Sequence, residues 1–208
     1  MQVLSTGRQA VERALSYLAE ARGYNDRTTE ESARANQAVD GFGPALKAIE
    51  FDRNDRDFSQ QGRLIRSIAH GAADRGEVAA AAQARSETLL AQLEEAVEEA
   101  LAATQDNSRV QSRLLSARHD ILFAIDNANT IEVCLHHGTS ALSEGLEPYL
   151  VEVEEDAPGR DVGRFAHSIE ELLLDGKSRL GTSEIYAKSV TRSLLSAERY
   201  LVAARDAL

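Results

Sequence analysis

A chain of 208 residues that is 43% hydrophobic and 27% charged can bury a core and stay in solution. Its net charge of −11 disfavours general nucleic-acid binding and docking on anionic membranes, which both call for basic surface. One Cys excludes an internal disulfide and fits a reducing compartment, no window has the apolar length to cross a bilayer, and the opening "MQVLSTGRQAVERAL" lacks a signal-peptide run, so the expected location is cytoplasmic.

Aromatic residues make up 5% of the chain, Trp is absent and there are three Pro. A core made of Ala, Leu, Val and Ile suits closely packed helices, and so few Pro leave helices largely uninterrupted. Apolar residues recur at helical spacing almost everywhere.

The first helix is predicted from about Thr6 to Arg22, with Val11, Ala14, Leu15 and Leu18 on one face and Gly23 ending it. Thr28 and Glu31 read as a capping box for a second helix carrying Ala35, Ala38, Val39, Phe42, Leu46 and Ile49. That stripe keeps its phase through Gly41–Pro44, which predicts a kinked helix, with a true break as the alternative. Residues 51–59 read as a loop.

The longest pattern follows, from 60 to 103, about 65 Å of helix if unbroken. Leu64, Ile65, Ile68, Ala72, Ala79, Ala82, Ser86, Leu90, Leu93, Val97 and Leu101 recur in it at heptad-like steps, and "DRG" at 74–76 is its one candidate break. "TQDNS" at 104–108 ends it. A fourth helix is predicted from Arg109 to about His137, with Gly138 as a C-cap signal. Its stripe, centred on Leu114, Ala117, Ile121, Ile125 and Ala128 and widened at one edge by Leu115, Leu122 and Val133, is broad enough for two neighbours. Over 147–155 the segment "YLVEVE" alternates like a strand, while Leu142, Leu146, Leu150 and Val153 suit a helix. Helix is the expectation, since no other segment offers a strand partner. A turn at 157–161, a helix from Val162 to Gly176 and a last helix from Thr182 complete the chain.

The expected fold is therefore all-α: a single helical domain over 1–208, elongated, of six or seven helices with long coiled-coil-like hairpins. The loop at 104–108 marks its best internal boundary. "LLSARHDILFAID" at 114–126 and "LLSAERYLVAARD" at 194–206 resemble each other, as two helices under one packing rule would.

Candidate chemistry is sparse. The stretch Ile125–Gly138 holds Cys134, His136 and His137. On a wheel of 100° per residue, Asn129, Glu132 and His136 fall on the inward side of the fourth helix, while Asp126, Cys134 and His137 point away. Glu132 and His136 stand four apart, so they could meet and form part of a metal or small-ligand site in a helical bundle. No Glu-x-x-His pair exists, and a hydrogen-bonded polar cluster is the plainer expectation.

Arg113 and His119 fit the Arg-x4–6-His spacing of HEPN-like helical RNases. Arg63 with His70 and Arg160 with His167 fit it too, and chance alone gives one or two such pairs. Cys134 as a nucleophile would need His137 to activate it. Walker A, Gly-x-Gly-x-x-Gly, His-Glu-x-x-His and Gly-x-Ser-x-Gly patterns are missing, so no cofactor is expected. Export proteins of the WXG100 type are excluded by the lack of Trp.

Glu94, Glu95, Glu98 and Glu99 form an acidic, solvent-facing stripe suited to a basic partner, and Arg53, Arg56, Arg63 and Arg66 gather the opposite charge. Long seams and few convergent polar groups point to a non-enzymatic adaptor or scaffold that binds proteins and self-associates.

Overall fold

The computed structural model describes residues 2–51, 57–155 and 161–208, with side chains from Thr6 onward. Every described element is helical, and no strand is present among the described residues. The elements are α1 (Gln2–Ala38), α2 (Gly43–Glu50), α3 (Ser59–Ala103), α4 (Ser108–Ser140), α5 (Glu147–Glu154) and α6 (Ala166–Arg205). A 3-10 turn, Val39–Phe42, joins α1 to α2, and a π turn, Ala141–Gly145, joins α4 to α5. The described chain thus forms four long helical stretches rather than the six or seven expected.

The glycines account for the difference. Gly23 and Gly176 were read as helix ends and Gly138 as a C-cap, yet all three lie inside helices. Thr28 does not cap a helix; it is buried in α1, and its hydroxyl donates to the Tyr24 carbonyl at 3.1 Å. "DRG" at 74–76 leaves α3 unbroken. Pro44 and Pro148 sit in the first turns of α2 and α5, where a missing N–H costs nothing. The segment over 147–155 is helix α5 and its C-cap residue Glu155. The expected loop at 51–59 and turn at 157–161 fall mostly outside the described residues, as do Arg53, Arg56 and Arg160.

Burial follows one rule. From Gly7 to Val39 a series of buried positions alternates steps of four and three, with Ala10 buried beside it. The same alternation runs from Phe58 to Thr104, from Val110 to Leu142, and from Val162 to Ala204, with Ala73, Ala82, Ala96 and Asn127 buried on its flanks. This is a strict seven-residue repeat, the pattern of knobs-into-holes packing. The repeat slips by one residue only in the α4–α5 stretch, where Leu142 is followed by Leu146, Leu150 and Val153. The π turn, which holds an extra residue per turn, lies at that slip.

The chain forms two compact units, and the turn at 104–108 lies within the first. Unit 1 comprises residues 1–29, 81–132 and 185–208; unit 2 comprises 30–80 and 133–184.

Within unit 1, Arg13 pairs with Glu99 and Ser86 donates to the Ala21 carbonyl, which sets α1 antiparallel to α3. Glu98 with Arg118 and Gln83 with the Ala128 carbonyl join α3 to α4. Arg113 with the Ala203 carbonyl and Asn127 with Ser189 join α4 to α6. Arg22 with Glu198, at 2.8 Å, closes the ring between α1 and α6. The core carries polar side chains. Asn25 donates from Nδ2 to the Ala187 carbonyl at 2.7 Å and to Thr191 Oγ1 at 2.8 Å, while Gln83 donates to Glu87 at 3.0 Å. The buried Asn25 Oδ1 and Gln83 Oε1 have no hydrogen-bond partner among the described residues.

Unit 2 is a ring of the same order. Arg75 pairs with Glu31 at 3.2 Å, Arg66 with Glu147 and Glu154, and Lys177 with Asp40. Its seam contains glycine. A Cβ on Gly138 would lie 3.3 Å from the Gly176 carbonyl oxygen, and one on Gly176 would lie 3.2 Å from the Gly138 oxygen and 2.6 Å from Leu142 Cγ. The backbones of α4 and α6 therefore pack closely here, and a methyl group on Gly176 would have to displace the Leu142 side chain.

Candidate functional site

The polar trio of α4 is not inward. Asn129, Glu132 and His136 are all exposed, and Ile131 and Leu135 occupy the buried face instead. The reason is geometric. A wheel of 100° per residue drifts about 20° per heptad against a true seven-residue repeat. From Leu114 to Glu132 the error is about 50°, enough to move a flanking position onto the apparent centre. Among the described residues, no group of three or more His, Cys, Asp or Glu side chains is placed to hold a metal ion. Glu132 instead acts on Glu87 of α3. Burial, offset by a hydrogen bond from Gln83 and reinforced by the Glu132 charge, raises the Glu87 carboxyl above its ordinary range. Cys134 is half-buried, and burial pushes its thiol up, away from a reactive thiolate.

The acidic stripe on α3 is partly engaged. Glu98 pairs with Arg118 and Glu99 with Arg13, Glu94 is half-buried, and Glu95 is exposed. Of the opposite cluster, Arg66 is committed to Glu147 and Glu154 and Arg63 is exposed.

Arg113 and His119 share α4 without sharing a task. Arg113 Nη1 donates to the Ala203 carbonyl, and Arg113 lines no groove described below. His119 is exposed and lines a shallow concavity of unit 1.

That concavity follows α4 and its border with α6. Its first stretch, a shallow groove of about 710 Å³, is lined by Ser112, Leu115, Ser116, His119, Asp120 and Tyr200, among others. A second stretch of about 430 Å³ shares His119 and Asp120 and continues along Phe123, Ser189, Arg192, Ser193 and Ser196. The sequence produces it simply. Serines at 112, 116, 189, 193 and 196 put small side chains where α4 meets α6, and their hydroxyls are free to bond locally: Ser116 donates to the Ser112 carbonyl at 3.1 Å and Ser193 to the Ser189 carbonyl at 3.2 Å. Larger residues stand on either side. Leu115 and Phe123 are each 52% exposed and Tyr200 40%. Asp120 lies at the junction of the two stretches, and its buried Oδ2 has no hydrogen-bond donor among the described residues.

The outward Leu115, the serine rows and Phe123 escaped the sequence reading. A wheel of 100° per residue puts Leu115 at the edge of the apolar stripe; a seven-residue repeat fixes it outside the seam. No helix among the described residues is long and apolar enough to cross a membrane. The sequence matches no protein-family model, and a comparison with curated proteins finds no significant relative.

Proposed function

We propose that this protein is a non-enzymatic helical adaptor that binds protein partners, and that unit 1 receives them in the groove along α4 and α6. The observation that carries the reading is the exposure of Leu115, Phe123 and Tyr200 beside a serine-lined depression. Large apolar side chains held in water around a concave surface favour an interface over a solvated face. The heptad seams that suggested self-association are buried inside the two units, so the proposal rests on the groove.

An RNase reading draws less support. Arg113 is tied to a backbone carbonyl, and His119 stands without it in the groove.

A photo-crosslinking side chain placed in cells at Leu115, Phe123 or Tyr200 tests the proposal. All three positions should capture one and the same protein. Val78, exposed on α3 in unit 2, should not. Equal capture from Val78, or no discrete product from the three groove positions, would end the reading.

A further inference from the structure

We infer that Asn25 and Gln83, set against Ala128 and Ala187, form a register key: a polar layer of the unit 1 core that fixes how far α1 slides along its neighbours. The four residues share one level. Asn25 Nδ2 donates to the Ala187 carbonyl at 2.7 Å and Gln83 Nε2 to the Ala128 carbonyl at 3.1 Å, so each amide lies against the alanine of a facing helix. Ser86 donates to the Ala21 carbonyl one seam step away, which puts both amides at the same height on the antiparallel α1 and α3.

The alanines single this level out. Every seventh residue of the α4 seam gives the buried run Leu114, Ile121, Ala128, Leu135 and Leu142. On α6 the corresponding run is Leu173, Leu180, Ala187, Leu194 and Leu201. Each run is large and aliphatic except at one place, and in both runs that place receives a buried amide. Seven residues before Asn25 stands Leu18, and seven after Gln83 stands Leu90, both fully buried.

A seven-residue repeat needs such a mark. Sliding a helix by one heptad returns its apolar residues to the seam, so apolar burial by itself separates the registers poorly. Residues 104–107 pin α3 to α4, whereas α1 reaches α3 only through residues 39–58. Slid by one heptad, Asn25 would meet Leu194 in place of Ala187 and come level with Leu90 and Ile121, where bulky side chains fill the space an amide needs. The amides are also incompletely satisfied where they lie. The buried Asn25 Oδ1 and Gln83 Oε1 have no hydrogen-bond partner among the described residues, which lowers stability. Buried polar residues kept at such a cost, and matched to one level, are a known means of selecting register in heptad helices.

The test measures register directly. Nitroxide labels go at Arg27 and Glu95, both exposed in unit 1, through Arg27→Cys/Glu95→Cys with Cys134→Ala, and pulsed electron paramagnetic resonance gives their separation. This parent should show one narrow distance. Adding Asn25→Leu/Gln83→Leu should keep the helix content and melt no lower, yet bring in a second distance displaced by up to about 10 Å, the rise of seven helical residues. Asn25→Ala/Gln83→Ala, which removes the amides without adding bulk, should bring in the same second distance. A single unchanged distance in both variants overturns the inference. Loss of helix in both overturns it too, since the amides would then hold the fold together rather than choose its register.

Discussion

The two units obey one repeat and fill it differently. Both bury hydroxyls, but only unit 1 buries side-chain amides, Asn25, Gln83 and Asn127. Unit 2 holds most of the buried glycine, at 62, 76, 138 and 176, against Gly7 in unit 1. The lesson is that a heptad seam sets which positions are enclosed but not how far apart the helices stand. Side-chain amides need room for their partners; glycine lets a backbone approach until a would-be Cβ lies 3.2–3.3 Å from the facing carbonyl oxygen, as at Gly138 and Gly176.

The largest expected effect lies in unit 2. Gly176→Val puts branched carbon where even a Cβ would meet Leu142 Cγ at 2.6 Å. It should cost 3 kcal/mol or more, at the upper end of overpacking effects (about 1–3 kcal/mol, occasionally more), read by chemical denaturation. Gly23→Ala in unit 1 is the counterpart. Nothing lies within 4 Å of its would-be Cβ, so the helix should gain about 0.5–1 kcal/mol. Equal losses at both positions would mean that seam geometry is not what separates them.

Next comes Arg66→Ala in unit 2, which frees Glu147 and Glu154 together. Since Glu147 is half-exposed, a loss of about 1–2 kcal/mol is expected. Smaller again is Gln83→Leu in unit 1. It removes a buried carbonyl oxygen that has no partner and keeps the volume, so stability should hold or rise by about 1 kcal/mol. A clear loss would show that Gln83's bonds to Glu87 and the Ala128 carbonyl outweigh its orphan oxygen.

The smallest effect is one of pH, and it has opposite signs in the two units. Burial raises the Glu87 carboxyl, so the folded state holds its proton more tightly than the unfolded chain does. This contribution is fully present below the ordinary value of 4.5 and fades as pH rises through the folded value. The hydrogen bond from Arg66 lowers Glu147, which contributes above 4.5 and is lost as pH falls through its folded value. Hydrogen exchange followed on acidification should therefore show unit 2 loosening before unit 1. Glu87→Gln should abolish the unit 1 component, and Glu147→Gln that of unit 2.

The all-α class could be read from the sequence because the repeat is so regular. The end of α3 and the start of α4 also stood out, since "TQDNS" supplies an Asn107 side chain that accepts from the Val110 N–H at 3.2 Å. Helix counts went astray at glycine, where sequence cannot tell a cap from a close contact: Gly23 faces open space and Gly138 faces Gly176. The groove was harder still. Its walls come from helices some 80 residues apart, and its floor is serine, which composition reads as mere helix surface. The likeness of 114–126 to 194–206 proves to be mostly shared seam, with Leu114, Ala117, Leu194 and Ala197 all buried. The paired Leu115 and Leu195 are both exposed, a similarity that packing alone does not require.

The π turn between α4 and α5 has one more consequence. It is a vernier on the helix, taking up a surplus residue so that Leu146, Leu150 and Val153 come back into step. Deleting Gly145 would leave Leu146 at the place where the uninterrupted repeat wants its next buried residue. A single-residue deletion within a packed helix normally rotates everything beyond it out of the core. At this point of the chain, the deletion should turn the bulge into plain α-helix and leave the downstream seam facing inward.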